Sequence, residues 1–66
     1  MMGSRYYRDL KRILVANGCT FVRHGKGDHE IWFSPITQIN FTVDAGTKKR
    51  FTANASLKQA GIKPSL

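Results

Sequence analysis

Two histidines flank a short segment containing two glycines, and their spacing favours proton transfer at an anion. His24 and His29 enclose the four residues Gly25-Lys26-Gly27-Asp28. An imidazole titrates near pH ~6.5, so it can accept or donate a proton at neutral pH. A lysine and the exposed amides of a glycine loop suit an anion, and a phosphate diester is the obvious one. The combination predicts acid–base chemistry on a phosphate.

RNA is the simplest substrate for such a site, because its own 2′-hydroxyl is the nucleophile that attacks the adjacent phosphate. A nuclease using that hydroxyl needs only a base, an acid and positive charge. We predict His29 as general base or acid and His24 as the complementary group. We predict phosphate contacts from Arg23, Lys26 and Gly27, and we interpret Asp28 as a turn residue rather than a partner that orients His29.

The residues around this segment favour a β-hairpin. Residues 19–24 and 29–34 are rich in strand-forming types, and residues 25–28 have the composition of a loop. A four-residue loop places His24 opposite His29, and a β-bulge would change that register. The same register predicts two further cross-strand pairs, Arg23 with Glu30 and Phe21 with Trp32.

The alternation of residue types in the hairpin does not determine which of its two faces is buried. Phe21 and Trp32 compete with Val22, Ile31 and Phe33 for the core. Trp32 is interpreted as core packing or, on an open face, as a platform on which a base stacks.

An amphipathic helix precedes the hairpin. Ser4 is predicted as its N-cap, and Gly18, after Asn17, as its stop. At about 100° per residue, one arc collects apolar side chains: Tyr6, Tyr7, Leu10, Ile13 and Leu14. The opposite arc is basic and is either a solvated face or a phosphate-contacting face: Arg5, Arg8, Lys11 and Arg12.

Two more elements follow the hairpin. Residues 34–37 fit a type I turn, and residues 38–43 alternate as a half-buried strand with Ile39, Phe41 and Val43 on its core side. Thr52 is predicted to cap a second helix that ends at Gly61. Its buried side is small and is flanked by two larger apolar residues: Ala53, Leu57 and Ala60, with Phe51 and Ile62.

The order of elements predicts an α+β fold, α-β-β-β-α, like that of a double-stranded-RNA-binding domain. A three-stranded antiparallel sheet would carry both helices on one face. Lys48, Lys49 and Arg50 would then lie near the N-terminus of the second helix, where the helix dipole favours a phosphate. We predict them as RNA contacts.

Length and charge narrow the class of protein. The 66-residue chain suits one domain over residues 1–66, whose thin core cannot enclose a deep cavity. Its net charge of +7 favours nucleic acid or an acidic protein. No apolar run approaches the roughly 20 residues of a membrane span, so no membrane partner is expected.

Cysteine usage and ligand spacing add two expectations. The chain has one cysteine, Cys19, so it cannot form an internal disulfide, and we expect the protein in the reducing cytoplasm. Cys19 itself is interpreted as a small buried apolar group. His24, Asp28 and His29 are possible metal ligands by type, but their spacing matches no specific metal site, so no metal or cofactor is predicted.

Two segments carry a resemblance over nearly the whole chain, from Ser4 to Ile62. One is Gly27-Asp28-His29-Glu30-Ile31-Trp32 with the preceding Arg23, and the other is Thr52-Ala53-Asn54-Ala55-Ser56-Leu57-Lys58-Gln59-Ala60-Gly61-Ile62. In this order and at this separation they resemble the HicA toxin family, small messenger-RNA interferases also called the YcfA-like family.

The resemblance implies a ribonuclease that blocks translation and a HicB-like antitoxin that covers the active site. It places His29 at the catalytic histidine of the family's Gly-Ser-His signature. Asp28 stands where Ser is commoner, which puts a negative charge beside that histidine. Ser56 replaces a larger apolar residue, which should thin the core under the second helix. We expect a monomer alone and a higher-order complex with the antitoxin.

Two other functions stay open from sequence. A non-catalytic RNA-binding module is favoured by the element order and the basic triplet, and it has no need of the Gly27-Asp28-His29 run. A purely protein-binding role would use the basic surface to dock an acidic partner. Three outcomes separate these functions. Strand scission supports the nuclease, salt-sensitive RNA binding without scission supports the RNA-binding module, and no affinity for RNA supports the protein-binding role.

Overall fold

The computed structural model describes residues 6–66, which form two helices and a three-stranded sheet. The elements are α1 (Tyr7–Ala16), β1 (Thr20–His24), β2 (His29–Ser34), β3 (Ile39–Asp44) and α2 (Arg50–Gln59). The strands are antiparallel in the order β1-β2-β3. This confirms the predicted α-β-β-β-α order. None of the helices in residues 6–66 has the length and apolar character needed to cross a bilayer.

Helix α1 ends as its sequence predicts, whereas the predicted N-cap, Ser4, lies outside the described residues. Gly18 has φ +85° and its N–H donates to Val15 O (3.0 Å), while the Cys19 N–H donates to Leu14 O (2.9 Å). This is the Schellman arrangement, in which a left-handed glycine satisfies the last carbonyls of a helix. Leu10 and Leu14 on the predicted apolar arc are fully buried.

The sheet buries the side that carries Trp32 rather than the side that carries Ile31. Trp32 lies opposite Phe41 in β3, and both side chains are only 3% exposed. Val43, two residues further along β3, is fully buried on the same side. Ile39, the first residue of β3, was predicted on this core side, but it is 50% exposed.

Ser34 and Cys19 complete the buried end of the sheet. The Ser34 hydroxyl donates to Ala60 O (2.7 Å) and accepts the amides of Ile36 and Thr37, so its burial costs no hydrogen bond. Cys19 is buried as predicted, and this burial raises the pKa of its thiol, partly offset by a hydrogen bond with Ser34.

The connection from β2 to β3 is one residue longer than predicted. Gln38 was assigned to the strand, but it has φ +60° and its N–H donates to Ser34 O (2.7 Å). Residues 35–38 therefore form a four-residue loop that aligns Ser34 with Ile39.

Helix α2 begins two residues before the predicted cap. Its first residue is Arg50, and Lys49 occupies the N-cap position without a side-chain cap bond, so the assignment of Thr52 as the cap is wrong. Thr47 organises the approach instead, because its hydroxyl accepts the Lys49 N–H (3.1 Å). The earlier start turns Phe51 outward: it is 83% exposed, not a plug over the core.

The buried side of α2 agrees with the prediction. Ala53, Leu57 and Ala60 are fully buried, and Ile62 packs against the core at its edge. Ser56, expected to thin this core, is 4% exposed and its hydroxyl donates to Thr42 O (3.0 Å). It thus fastens α2 to β3.

Two adjacent residues of α1 provide a matched test of this packing. Leu14→Ala should lower the free energy of unfolding by about 2 to 5 kcal/mol, because it leaves a cavity in a fully buried site. Val15→Ala, at a position 58% exposed, should change it by less than about 0.5 kcal/mol. Urea unfolding followed by circular dichroism measures both, and equal losses would contradict the assigned inward face of α1.

Candidate active site

The tip of the β1–β2 hairpin is shaped by two glycines. The Gly25 N–H donates to His29 O (2.8 Å), and the His29 N–H donates to Lys26 O (3.0 Å). Gly27 has φ +60°, in the left-handed region that glycine adopts without strain. A Cβ on Gly25 would lie 3.3 Å from His29 Cβ, so glycine here leaves room for the His29 side chain.

The predicted pairing of His24 with His29 is wrong. Phe21 does lie opposite Trp32, but the register shifts between Phe21 and Arg23, so His24 lies opposite Glu30 and Arg23 opposite Ile31. Val22 is the extra residue of a β-bulge, which reverses the facing of the residues after it. His24 therefore lies on the helix-facing side of the sheet. His29, next to Glu30 along β2, lies on the open side.

His29 is exposed at the edge of the open face, where its cross-strand partner is Asp44. Side chains directly opposite each other in an antiparallel pair have Cβ atoms roughly 5 Å apart. The Asp44 carboxylate accepts the Gly46 N–H (3.0 Å), which holds it at the end of β3. Our sequence reasoning missed Asp44, because the β2–β3 register depends on the length of a loop that we predicted one residue too short.

The predicted cations lie around this end of the sheet. Arg23 and Lys26 are exposed on the hairpin that carries His29. The loop after β3 touches the hairpin tip, since the Ala45 N–H donates to Asp28 O (2.9 Å). That loop leads directly into exposed residues at the start of α2, whose first turn contains no acidic side chain: Lys48, Lys49 and Arg50.

Glu30 is the centre of a hydrogen-bonded group on the helix-facing side. The Tyr7 hydroxyl reaches both carboxylate oxygens of Glu30 at 2.8 Å, and Trp32 Nε1 donates to Oε1 at 2.9 Å. Burial, followed by the hydrogen bond and the negative charge of Glu30, raises the pKa of Tyr7 to about 12. The tyrosine is therefore a neutral donor at physiological pH.

Metal-ligating side chains do not converge in the described part of the chain. Residues 6–66 contain no group of three or more His, Cys, Asp or Glu side chains placed to hold one ion. His24 and His29, considered as ligands from sequence, lie on opposite faces of the hairpin.

The comparison with protein families gives a match that covers most of the chain. Residues 7–62 match the model described as the HicA toxin of bacterial toxin–antitoxin systems. The chain belongs to the HicA toxin family. Neither a search of curated proteins nor a search of solved structures found a match. Membership of the HicA family supports a toxin role and makes an antitoxin the expected partner.

The HicA pattern commonly has Ser before the histidine. Asp28 stands at that position here, and it contacts the β3–α2 loop. A Cβ on Gly46 would lie 2.5 Å from Asp28 Oδ2, so the carboxyl lies directly over that glycine. With its carbonyl bonded to Ala45, Asp28 joins the hairpin to the β3–α2 loop. This agrees with its interpretation as a turn residue.

The Tyr7–Glu30 contact predicts an unusual tyrosine titration. Tyr6→Phe leaves Tyr7 as the one tyrosine, and its tyrosinate absorbance should appear with a midpoint near pH 12 instead of 10.0. Because the raised pKa exists only in the folded chain, the stability from this contact is complete below pH 10 and is lost as the pH rises towards 12.

Glu30→Gln in the Tyr6→Phe protein is the control for that titration. It removes the charge and should lower the midpoint, while the shift that burial causes remains. A midpoint near 10.0 in the folded Tyr6→Phe protein would show that Tyr7 does not bond Glu30 in solution.

Proposed function

We propose that this toxin is an endoribonuclease that cleaves messenger RNA without a metal ion and so inhibits translation. One observation carries the proposal: His29 is exposed beside a glycine-shaped loop, on a hairpin that also carries the exposed cations Arg23 and Lys26. Family membership supports the toxic outcome, and the net charge of +7 supports a polyanionic target.

The proposed chemistry uses the nucleophile already present in RNA. His29, as neutral imidazole, takes the proton from a 2′-hydroxyl, and the oxygen attacks the adjacent phosphorus. The bond to the 5′-oxygen breaks, and that oxygen takes a proton from water. The products are a 2′,3′-cyclic phosphate and a 5′-hydroxyl. Asp44, opposite His29, is placed to favour the imidazolium that forms.

In this proposal, positively charged residues stabilise the transition state and bind the RNA backbone. Arg23, Lys26 and the Gly27 amide lie at the hairpin and would stabilise the charge that develops on the phosphorane. Lys48, Lys49 and Arg50 would bind neighbouring phosphates, with help from the N-terminal dipole of α2. Such contacts give an affinity that falls steeply with salt.

The regulation proposed here follows from the exposure of the site. We propose that a HicB-like antitoxin covers the His29 face and that the toxin, active in the cytoplasm as a single-domain monomer, joins a higher-order complex when it is held inactive. An open, basic face suits an acidic partner, because neither the charge nor the histidine is shielded by the toxin itself.

His29→Ala is the decisive variant. Loss of a general acid–base group typically slows a reaction by about 10²- to 10⁴-fold, so RNA cleavage by purified protein should fall by that factor and growth arrest on expression should disappear. Because His29 is exposed, the substitution should leave the fold intact, and circular dichroism checks this. EDTA should leave cleavage by the parent protein unchanged.

Several results would reject this proposal. Full cleavage by His29→Ala would remove His29 from the mechanism, and loss of cleavage in EDTA would point to a metal ion. Salt-sensitive RNA binding without scission at any protein concentration would instead support the RNA-binding module, and absence of RNA affinity at low salt would support a protein-binding role.

His24→Ala tests the acid–base pair that the sequence predicts. Because His24 lies on the other face of the hairpin, we expect the cleavage rate at saturating RNA to fall by less than about tenfold. A loss as large as that of His29→Ala would restore His24 as the complementary acid or base.

A further inference from the structure

A groove on the helix-facing side of the hairpin has the composition of a base-binding pocket. Its volume is about 240 Å³, and it lies between α1 and the edge of the sheet. Tyr7, Phe21 and Trp32 supply aromatic surface, Lys11 and His24 supply nitrogen groups, and Glu30 supplies a carboxylate. The proposed catalytic residue, His29, does not line it.

Phe21 is the surface on which a ring could stack. Its side chain is 45% exposed, although phenylalanine is usually buried and this domain has a small core. Its position is fixed by edge-to-face contacts with His24 (ring centroids 5.1 Å apart) and Trp32 (6.0 Å). Stacking on a fixed aromatic ring is the common way to bind an unpaired base.

Glu30 retains acceptor capacity beside that ring. A carboxylate offers about four acceptor positions. Two donors engage it in the structure, the single hydroxyl proton of Tyr7 shared between both oxygens and the Trp32 N–H on Oε1. A base with an exocyclic amino group can donate to the remaining positions, whereas uracil has no amino group and offers one ring N–H flanked by two carbonyls, which the carboxylate repels.

We propose that this groove binds one unpaired RNA base that carries an exocyclic amino group, with stacking on Phe21 and recognition by Glu30. The inference rests on the proposed RNA target. It adds a preference for cytosine over uracil at a nucleotide near the scissile phosphate. Lys11 and His24 also line the groove and would contact a phosphate next to the scissile one.

One strand of RNA can reach both faces because the hairpin is narrow there. Gly25 pairs with His29, and His24 is the next residue along β1. Strand β1 is an edge strand of the sheet, and every one of its residues is exposed. A backbone crossing this edge would leave its phosphate near His29 and turn its base into the groove.

Binding of labelled single-stranded RNA to the full chain carrying His29→Ala tests the groove without cleavage. Oligocytidylate should bind at least about fivefold more tightly than oligouridylate of equal length, and Glu30→Gln should reduce that ratio to less than twofold. Phe21→Ala should weaken binding of both by roughly five- to hundredfold. Phe21→Leu, which keeps apolar bulk and so protects the fold, should weaken both as well.

Ile36→Ala is the matched control, since it removes exposed apolar surface from the far end of the sheet. It should change neither affinity by more than about twofold. Equal affinity for the two oligomers in the parent, or unchanged binding in both Phe21 variants, would overturn the inference. Absence of any RNA binding would overturn it together with the proposed function.

The cleavage assay separates the two proposals. If cleavage depends on His29 but the groove variants bind RNA like their parent, the nuclease proposal stands and the groove proposal is rejected. Binding that depends on Phe21 and Glu30, with no cleavage by the parent protein, supports the groove and removes the nuclease.

Discussion

The β-bulge at Val22 decides which surface each histidine serves. Side chains alternate along a strand, so Phe21 and His24, three residues apart, would otherwise lie on opposite faces. One extra residue returns both to the helix-facing side, where their rings are in contact. His29 is left on the open side, so a single residue in an edge strand divides the hairpin into two chemically different surfaces.

Alternation along β2 places Glu30 on the same side as Trp32, where it meets α1. A carboxylate half-buried among aromatic rings needs donors, and it finds them in Tyr7 and Trp32. These two residues belong to α1 and β2, so the contact also joins the first helix to the central strand. Among residues 6–66 no buried side-chain nitrogen or oxygen is without a hydrogen bond, and this polar group is therefore part of the scaffold.

Local signals in the sequence were sufficient for the framework of the fold. The 3.6-residue period identified Leu10 and Leu14 as core, and Gly18 marked the end of α1 because the left-handed position there suits glycine. Long-range register was not accessible in this way. A bulge at Val22 and the loop at residues 35–38 each move a strand by one residue. The bulge has no distinctive composition, and Pro35 predicts a turn without showing that Gln38 belongs to it.

The same limit explains what was missed at the candidate site. Asp44 becomes a neighbour of His29 only through the β2–β3 register, and His24 leaves it only through the bulge. Thr52 resembled a helix cap because of its type, whereas Thr47 already holds the approach to α2. Residue type predicted the chemistry of single side chains, and pairing between strands decided which of them meet.

Size is the final constraint, and it connects the open site to control by a partner. Nine apolar side chains form the buried core of the described chain, which is too little to surround a substrate as well. A site that remains open cannot exclude water by closing, and the proposed groove beside Phe21 would supply selectivity through surface contacts instead. An open site can also be silenced from outside, because a protein that covers one face needs no change in the toxin's own structure.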